Sequence, residues 1–198
     1  MPSGRHRFTR KSVTRPYRTL FLVAVEGKRT EPDYFSLFQG QNAAIRLRCL
    51  PARGDSAPPQ VVKRIEEFIA REGLRSSDEA WIVADRDHWT EDQLNALYDW
   101  SKKGQNRRVA VSNPCFEFWL LLHFEEGHGI ATFREVRERL RRHLPDYGKG
   151  IDSRSFTRER IGDAIRRASG KDTPPSPDWP RNPGNTTVYR LVKKLLSS

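Results

Sequence analysis

Apolar residues in this chain fall into short unbroken runs alternating with longer stretches of helical spacing. Thr19 to Val25 is a continuous apolar run ending sharply at Glu26-Gly27, the pattern of a strand buried on both faces. A helix is predicted from about Pro32 to Phe38, with Thr30 as its cap. Ile45 to Leu50 alternates and reads as a second strand. A loop follows over Pro51 to Pro59, rich in Pro, Gly, Asp and Ser. Val61 to Arg71 places apolar residues at 61, 62, 65, 68 and 69, which is helical. Ala80 to Ala84 is a third buried strand, ending at Asp85-Arg86-Asp87. Thr90 to Ser101 reads as a helix opened by a capping box of Thr90 and Gln93. Arg108 to Val111 is a fourth strand. A helix is then predicted through Phe124, with Asn113 as cap and Pro114 in the first turn.

This alternation of strand and helix predicts an α/β sandwich around a mostly parallel sheet. In such open sheets, sites form beyond the carboxyl ends of the strands, where Glu26, Asp85 and Asp87 all fall. The organisation read from the pattern is a flexible basic arm over residues 1–17, an α/β core over 18–130 and a helical part over 131–198 packed on that core. Within the last part, Thr132 to Leu144 and Phe156 to Ala168 are basic helices separated by a polar turn. Residues 170–187 look like loop, and Tyr189 to Leu196 closes as a short amphipathic helix. Its apolar positions Val188, Leu191, Val192, Leu195 and Leu196 suit packing on this chain's own core or docking into a partner's groove.

Charge sharpens this picture. Lys and Arg number 36 against 25 Asp and Glu, a formal net charge of +11. That excess favours polyanionic partners, because bound cationic side chains release counterions from phosphates. Arg134, Arg137, Arg141, Arg158, Arg166 and Arg167 on the two basic helices are the candidate grips on a DNA or RNA backbone. The two cysteines, Cys49 and Cys115, stand in apolar stretches outside any metal-binding spacing and read as buried free thiols. The apolar runs are too short to span a bilayer, and no signal-peptide cleavage pattern follows the basic start, so a soluble cytoplasmic protein is expected.

The chemistry is carried by carboxylates. Glu26 stands at a strand end, suited to hold a hard cation or act as a base; Glu31 follows five residues on and equally suits an acidic helix start. Asp85 and Asp87 alternate on an extended segment and so face one way, where a cation would relieve their mutual repulsion. Glu117 lies in a helix apolar on nearly every face. It needs a partner there: either a structural ion pair with an arginine, or a role as ligand or general base. His123 and Trp119 read as core residues.

The segments EGKRTEPDYF, DRDHW, SNPCFEFWLLLHFE and NPGNTTVYRLVKKL resemble the RloB family, also seen as the second component of AbiL-type phage-defence pairs. The resemblance spans residues 19 to 196. It implies a TOPRIM-like fold akin to the nuclease half of OLD-family proteins, and association with phage-defence loci beside an ABC/AAA-type ATPase. It implies an Mg²⁺ (or Mn²⁺) site on Glu26, Asp85 and Asp87. It also implies a second Glu shortly after the first, which Glu31 matches at a spacing one residue longer, and a further acidic group in Glu117. A catalytic lysine is found in some OLD-type nucleases; Lys28 and Lys149 are the candidates here. The expected function is therefore a metal-dependent nuclease acting on DNA or RNA, with Glu26, Asp85, Asp87 and Glu117 as catalytic acids. The alternative is a non-catalytic nucleic-acid-binding adaptor that regulates an ATPase. The chain has no GxxxxGK[ST] pattern, so any ATP dependence would come from that partner.

Overall fold

The computed structural model describes residues 18–52, 54, 57–86 and 89–197, with Lys149 described in its backbone alone. The predicted basic arm, Asp87 and the Lys149 side chain therefore lie outside the described residues.

Five strands form one sheet: β1 (Thr19–Val25), β2 (Ile45–Leu50), β3 (Glu79–Asp85), β4 (Arg107–Asn113) and β5 (Asn185–Thr186), in the order β2-β1-β3-β4-β5. The first four run parallel, and β5 is antiparallel to β4. The helices are α1 (Thr30–Ser36), α2 (Pro58–Glu72), α3 (Glu91–Lys102), α4 (Phe116–Leu121), α5 (Phe133–His143), α6 (Arg158–Lys171) and α7 (Val188–Ser197).

The unbroken apolar strands are explained by helices on both faces of the sheet. Phe21, Val23 and Val25 of β1 join a core with side chains of α1, α4, α5, α6 and α7. Leu20, Leu22 and Ala24 face the opposite core, built with α2 and α3. Alternate side chains of one strand thus enter two cores, and neither face tolerates a polar residue. The result is a three-layer α/β sandwich, as the pattern predicts. The Thr90–Gln93 capping box opens α3 as expected. Among the described residues no helix is long and apolar enough to cross a membrane.

Several local expectations are corrected. Asn113 is not a helix cap. It ends β4, opposite Asn185 of β5, and its carboxamide donates to the carbonyls of Pro180 (3.1 Å) and Arg181 (3.0 Å). Pro114, joined to it by a cis peptide bond, precedes the helix, which begins at Phe116 and ends at Leu121, short of Phe124. A strand pairing distant in sequence has overridden a local cap signal. Thr30 likewise is the first residue of α1, not its cap, and its hydroxyl meets Tyr147 instead. The segment expected as loop over 170–187 contributes β5 and the buried Trp179. Val188, Leu191, Val192 and Leu195 of α7 are buried in the chain's own core, which removes the docking alternative for that face.

Candidate functional site

The chain runs from β1 outward to β2, then crosses back over β1 to β3. At such a switch point the flanking connections diverge and leave a crevice beyond the strand ends. Glu26 follows β1 and Asp85 ends β3, so the two acids occupy the rim of this crevice. The Asp85 backbone N–H donates to Glu26 Oε1 at 3.3 Å, and the Trp89 indole N–H donates to both Glu26 oxygens at 2.9 and 3.0 Å.

Glu31 enters from the first turn of α1 and is only 5% exposed. Its Oε1 accepts the Gly27 N–H at 2.8 Å. A Cβ on Gly27 would stand 1.9 Å from Glu31 Oε2, so only glycine at that position lets the carboxylate close over the turn. Burial pushes the Glu31 carboxyl up; its own N–H and that of Gly27 pull it back in part, and the neighbouring Glu117 charge adds to the rise.

Glu117 is half-buried in the first turn of α4. Its partner is not an arginine: Tyr147 donates its hydroxyl to Glu117 Oε1 at 2.6 Å, and Thr30 Oγ1 lies 3.1 Å from the same hydroxyl. Burial drives the Tyr147 hydroxyl up, and Glu117 adds to this, so it acts as a donor. The buried Cys115 thiol is raised by burial, then by the charges of Glu117 and Asp85, which links these two acids through one neighbour. Cys49 is pushed up to about 12, by burial first and then by Glu31. Neither thiol has the lowered pKa of a reactive cysteine.

The structure thus gathers Glu26, Glu31, Asp85 and Glu117 at one end of the sheet. Among the described residues, no three His, Cys, Asp or Glu side chains are arranged to hold a metal ion, and Asp87 lies outside those residues. The donor chemistry nonetheless fits a hard divalent cation: carboxylate oxygens from separate elements, one of them desolvated beside another.

The arginines divide. Arg134, at 84% side-chain exposure, shares the exposed surface of α5 with Arg137 and Arg141, and Arg158 and Arg166 are exposed on α6. Arg137 lines a cleft of about 270 Å³ together with Glu117 and Tyr147. Arg167 is different. At 14% exposure it donates to Glu126 (2.9 Å) and to the Leu122 carbonyl (2.8 Å), tying α6 to the end of α4. It is a structural residue in this arrangement, not a surface grip. Lys28 is exposed directly after Gly27. His123 is a core histidine, with Nε2 3.1 Å from the Tyr34 hydroxyl, and burial lowers it to about 3.

Tyr147 and Trp89 were not singled out by sequence reasoning. Trp89 stands two residues beyond the paired aspartates, and an indole so near an acidic turn is a donor seeking an acceptor. Tyr147 sits in a turn between helices and gave no such signal.

Fold and site together define an α/β sandwich consistent with a TOPRIM-like protein, with an acidic crevice at its switch point. The family description RloB-like protein matches residues 21–195, and the chain belongs to that family. No curated protein and no solved structure matches it.

Proposed function

We propose that this chain is a nuclease that uses Mg²⁺ or Mn²⁺ to cleave phosphodiester bonds in DNA or RNA, serving phage defence in the cytoplasm beside an ABC/AAA-type ATPase. The observation that carries the reading is a pair of carboxylate neighbourhoods beyond the strand ends: Glu26 accepting the Asp85 N–H, and the buried Glu31 beside the charge of Glu117. Glu26 and Asp85, with Asp87, are the residues to hold one cation, and Glu31 and Glu117 a second. Bound divalent ions supply an activated water and stabilise the leaving oxygen in phosphodiester hydrolysis. Tyr147 fixes the orientation of Glu117 by its hydrogen bond, and Gly27 that of Glu31. Exposed arginines of α5 and α6 bind the substrate backbone.

The test is cleavage of labelled single- and double-stranded DNA and RNA with Mg²⁺, Mn²⁺ or a chelator, with and without the ATPase and ATP. The reading expects metal-dependent cleavage that Asp85→Asn lowers on the order of 10²-fold or more, the loss of several kcal/mol of charge stabilisation. Equal product with chelator and with metal would overturn it.

One observation favours a second reading. Both Glu26 oxygens accept from the Trp89 indole, and the described residues hold no ready three-ligand set. A non-catalytic adaptor that binds nucleic acid and regulates the ATPase fits this. A folded chain that binds nucleic acid, changes the partner's ATP turnover and never cleaves would favour the adaptor.

A further inference from the structure

Phe133, 39% exposed, is the one large apolar side chain left exposed among the described residues. An isolated exposed phenylalanine needs no explanation. This one has a specific setting. It lies on the wall of the 270 Å³ cleft whose other walls include Arg29, Thr30, Glu117, Arg137 and Tyr147. The Arg137 guanidinium stands 5.9 Å from the ring centroid. That cleft therefore offers an aromatic face and two guanidinium groups, of which Arg29 also pairs with Asp33 (3.7 Å) on the same lining, and it runs to the Glu117–Tyr147 hydrogen bond of the candidate site.

The backbone under the ring is well capped. Phe133 is the first residue of α5, directly after a complete capping box in which Thr132 Oγ1 accepts the Glu135 N–H and Glu135 Oε2 accepts the N–H groups of Ala131 and Thr132. Gly150 also lines the cleft. Its φ of +129° suits glycine, and a Cβ there would come within 3.1 Å of the Arg29 guanidinium. The space is below the roughly 300 Å³ at which pockets for drug-sized ligands begin. That is room for one nucleobase. Stacking of an unpaired base on an aromatic ring is the recurrent device for holding single strands, with arginine on the phosphate or on the base's other face. A duplex offers no free base face to such a ring.

We infer that this cleft seats one unpaired nucleotide, its base on Phe133 and its phosphate on Arg137 and Arg29, so that the chain acts on single-stranded or looped nucleic acid. The inference rests on the proposed nucleic-acid function and specifies its substrate class.

The experiment measures binding by fluorescence anisotropy with chelator present, so that a catalytically silent chain gives the same readout. The probes are labelled oligouridine, oligothymidine and a blunt duplex of equal length. The expected result is that Phe133→Ala weakens single-strand binding roughly tenfold, as loss of one stacked base should, and leaves duplex binding unchanged. Phe133→Trp restores it, and Arg137→Ala reduces the salt slope on single strands by about 0.7. A loss confined to the RNA or to the DNA probe supports the inference and identifies the sugar. Unchanged single-strand binding in Phe133→Ala, or an equal loss on duplex, would overturn it. Circular dichroism of each variant separates stacking loss from misfolding. Cleavage by the same preparations tests the nuclease reading separately: selective single-strand binding without any cleavage keeps this inference and removes that one.

Discussion

Two buried carboxylates in this molecule have opposite surroundings. Asp172, at the end of α6, is 2% exposed. Its Oδ2 accepts from Arg190 at 2.6 Å and Tyr189 at 2.9 Å, and its Oδ1 from the Ser176 N–H at 2.8 Å and hydroxyl at 2.7 Å. Burial alone would raise its pKa, but Ser176, Arg190 and Tyr189 together more than offset this and hold it below the ordinary value. Glu31 is nearly as buried, yet it lies beside another acid, Glu117, and its carboxyl is pushed up. A carboxylate met by a cation and several donors joins two helices. One placed next to a second carboxylate is costly unless something else is bound, and the proposed function draws on that contrast.

The largest expected effect separates the two by matched amides. Asp172→Asn breaks a buried ion pair and leaves Arg190 without its counter-charge. It should cost about 3 kcal/mol, the low end for such a break because Arg190 keeps some contact with water. Glu31→Gln keeps an acceptor for Gly27 and removes a repulsion, so stability should stay within about 1 kcal/mol of the parent or rise. Urea unfolding of both variants measures this. If Glu31→Gln costs as much as Asp172→Asn, Glu31 is architecture and the contrast fails.

The pH dependence of stability sharpens the comparison, with opposite signs. Glu31 has a folded pKa above its ordinary 4.5, so between that value and the raised one the folded state binds more protons than the unfolded chain. Stability therefore falls as pH rises through this window. Asp172 has a folded pKa below its ordinary 3.8, so its contribution is present above 3.8 and is lost as pH falls through the folded value. Subtracting the Glu31→Gln stability profile from the parent's should show a decline with rising pH above 4.5. The same subtraction for Asp172→Asn should show an acid limb. A Glu31→Gln difference that is flat above 4.5 would contradict the buried, raised carboxyl.

Much of this was legible in the sequence, and the rest has a common cause. The strands β1 and β3 announce themselves because both faces are buried, so no polar residue interrupts them. Glu26 and Asp85 follow at once, since a strand end in an open sheet is where the crevice lies. What the sequence hides is contact at long range. Asn113 looked like a cap because its partners, the carbonyls of Pro180 and Arg181, are 67 and 68 residues away. Trp89 reaches Glu26 across 63 residues, and Tyr147 reaches Glu117 across 30. Arg167 carried a usable signal: it adjoins Ala168 and sits three residues after Ala164, so it borders the apolar stripe of α6 and is drawn inward.

The smallest expected effect comes from a pair of tyrosines, one in each region. Tyr189 donates to Asp172 at 2.9 Å and Tyr147 to Glu117 at 2.6 Å, so the local chemistry of the two bonds is the same. Their consequences should differ. Tyr189→Phe removes one donor of several from Asp172, and about 1 kcal/mol of stability should go with it, leaving cleavage unaltered. Tyr147→Phe removes the hydroxyl that orients Glu117 and meets Thr30. Its effect on stability should be no larger, because Glu117 is only half-buried and water can replace the lost donor. Its effect on cleavage should be on the order of tenfold, the usual consequence of removing a group that orients a metal ligand. Thermal melts and the metal dependence of cleavage read both. A general loss of stability would lower cleavage at every Mg²⁺ concentration alike, whereas a misoriented Glu117 should raise the Mg²⁺ concentration needed for half-maximal cleavage. If Tyr147→Phe changes melting but not this metal dependence, the hydroxyl is only a strut, and the division between a sealed carboxylate and a working one must then be drawn at Glu31 alone.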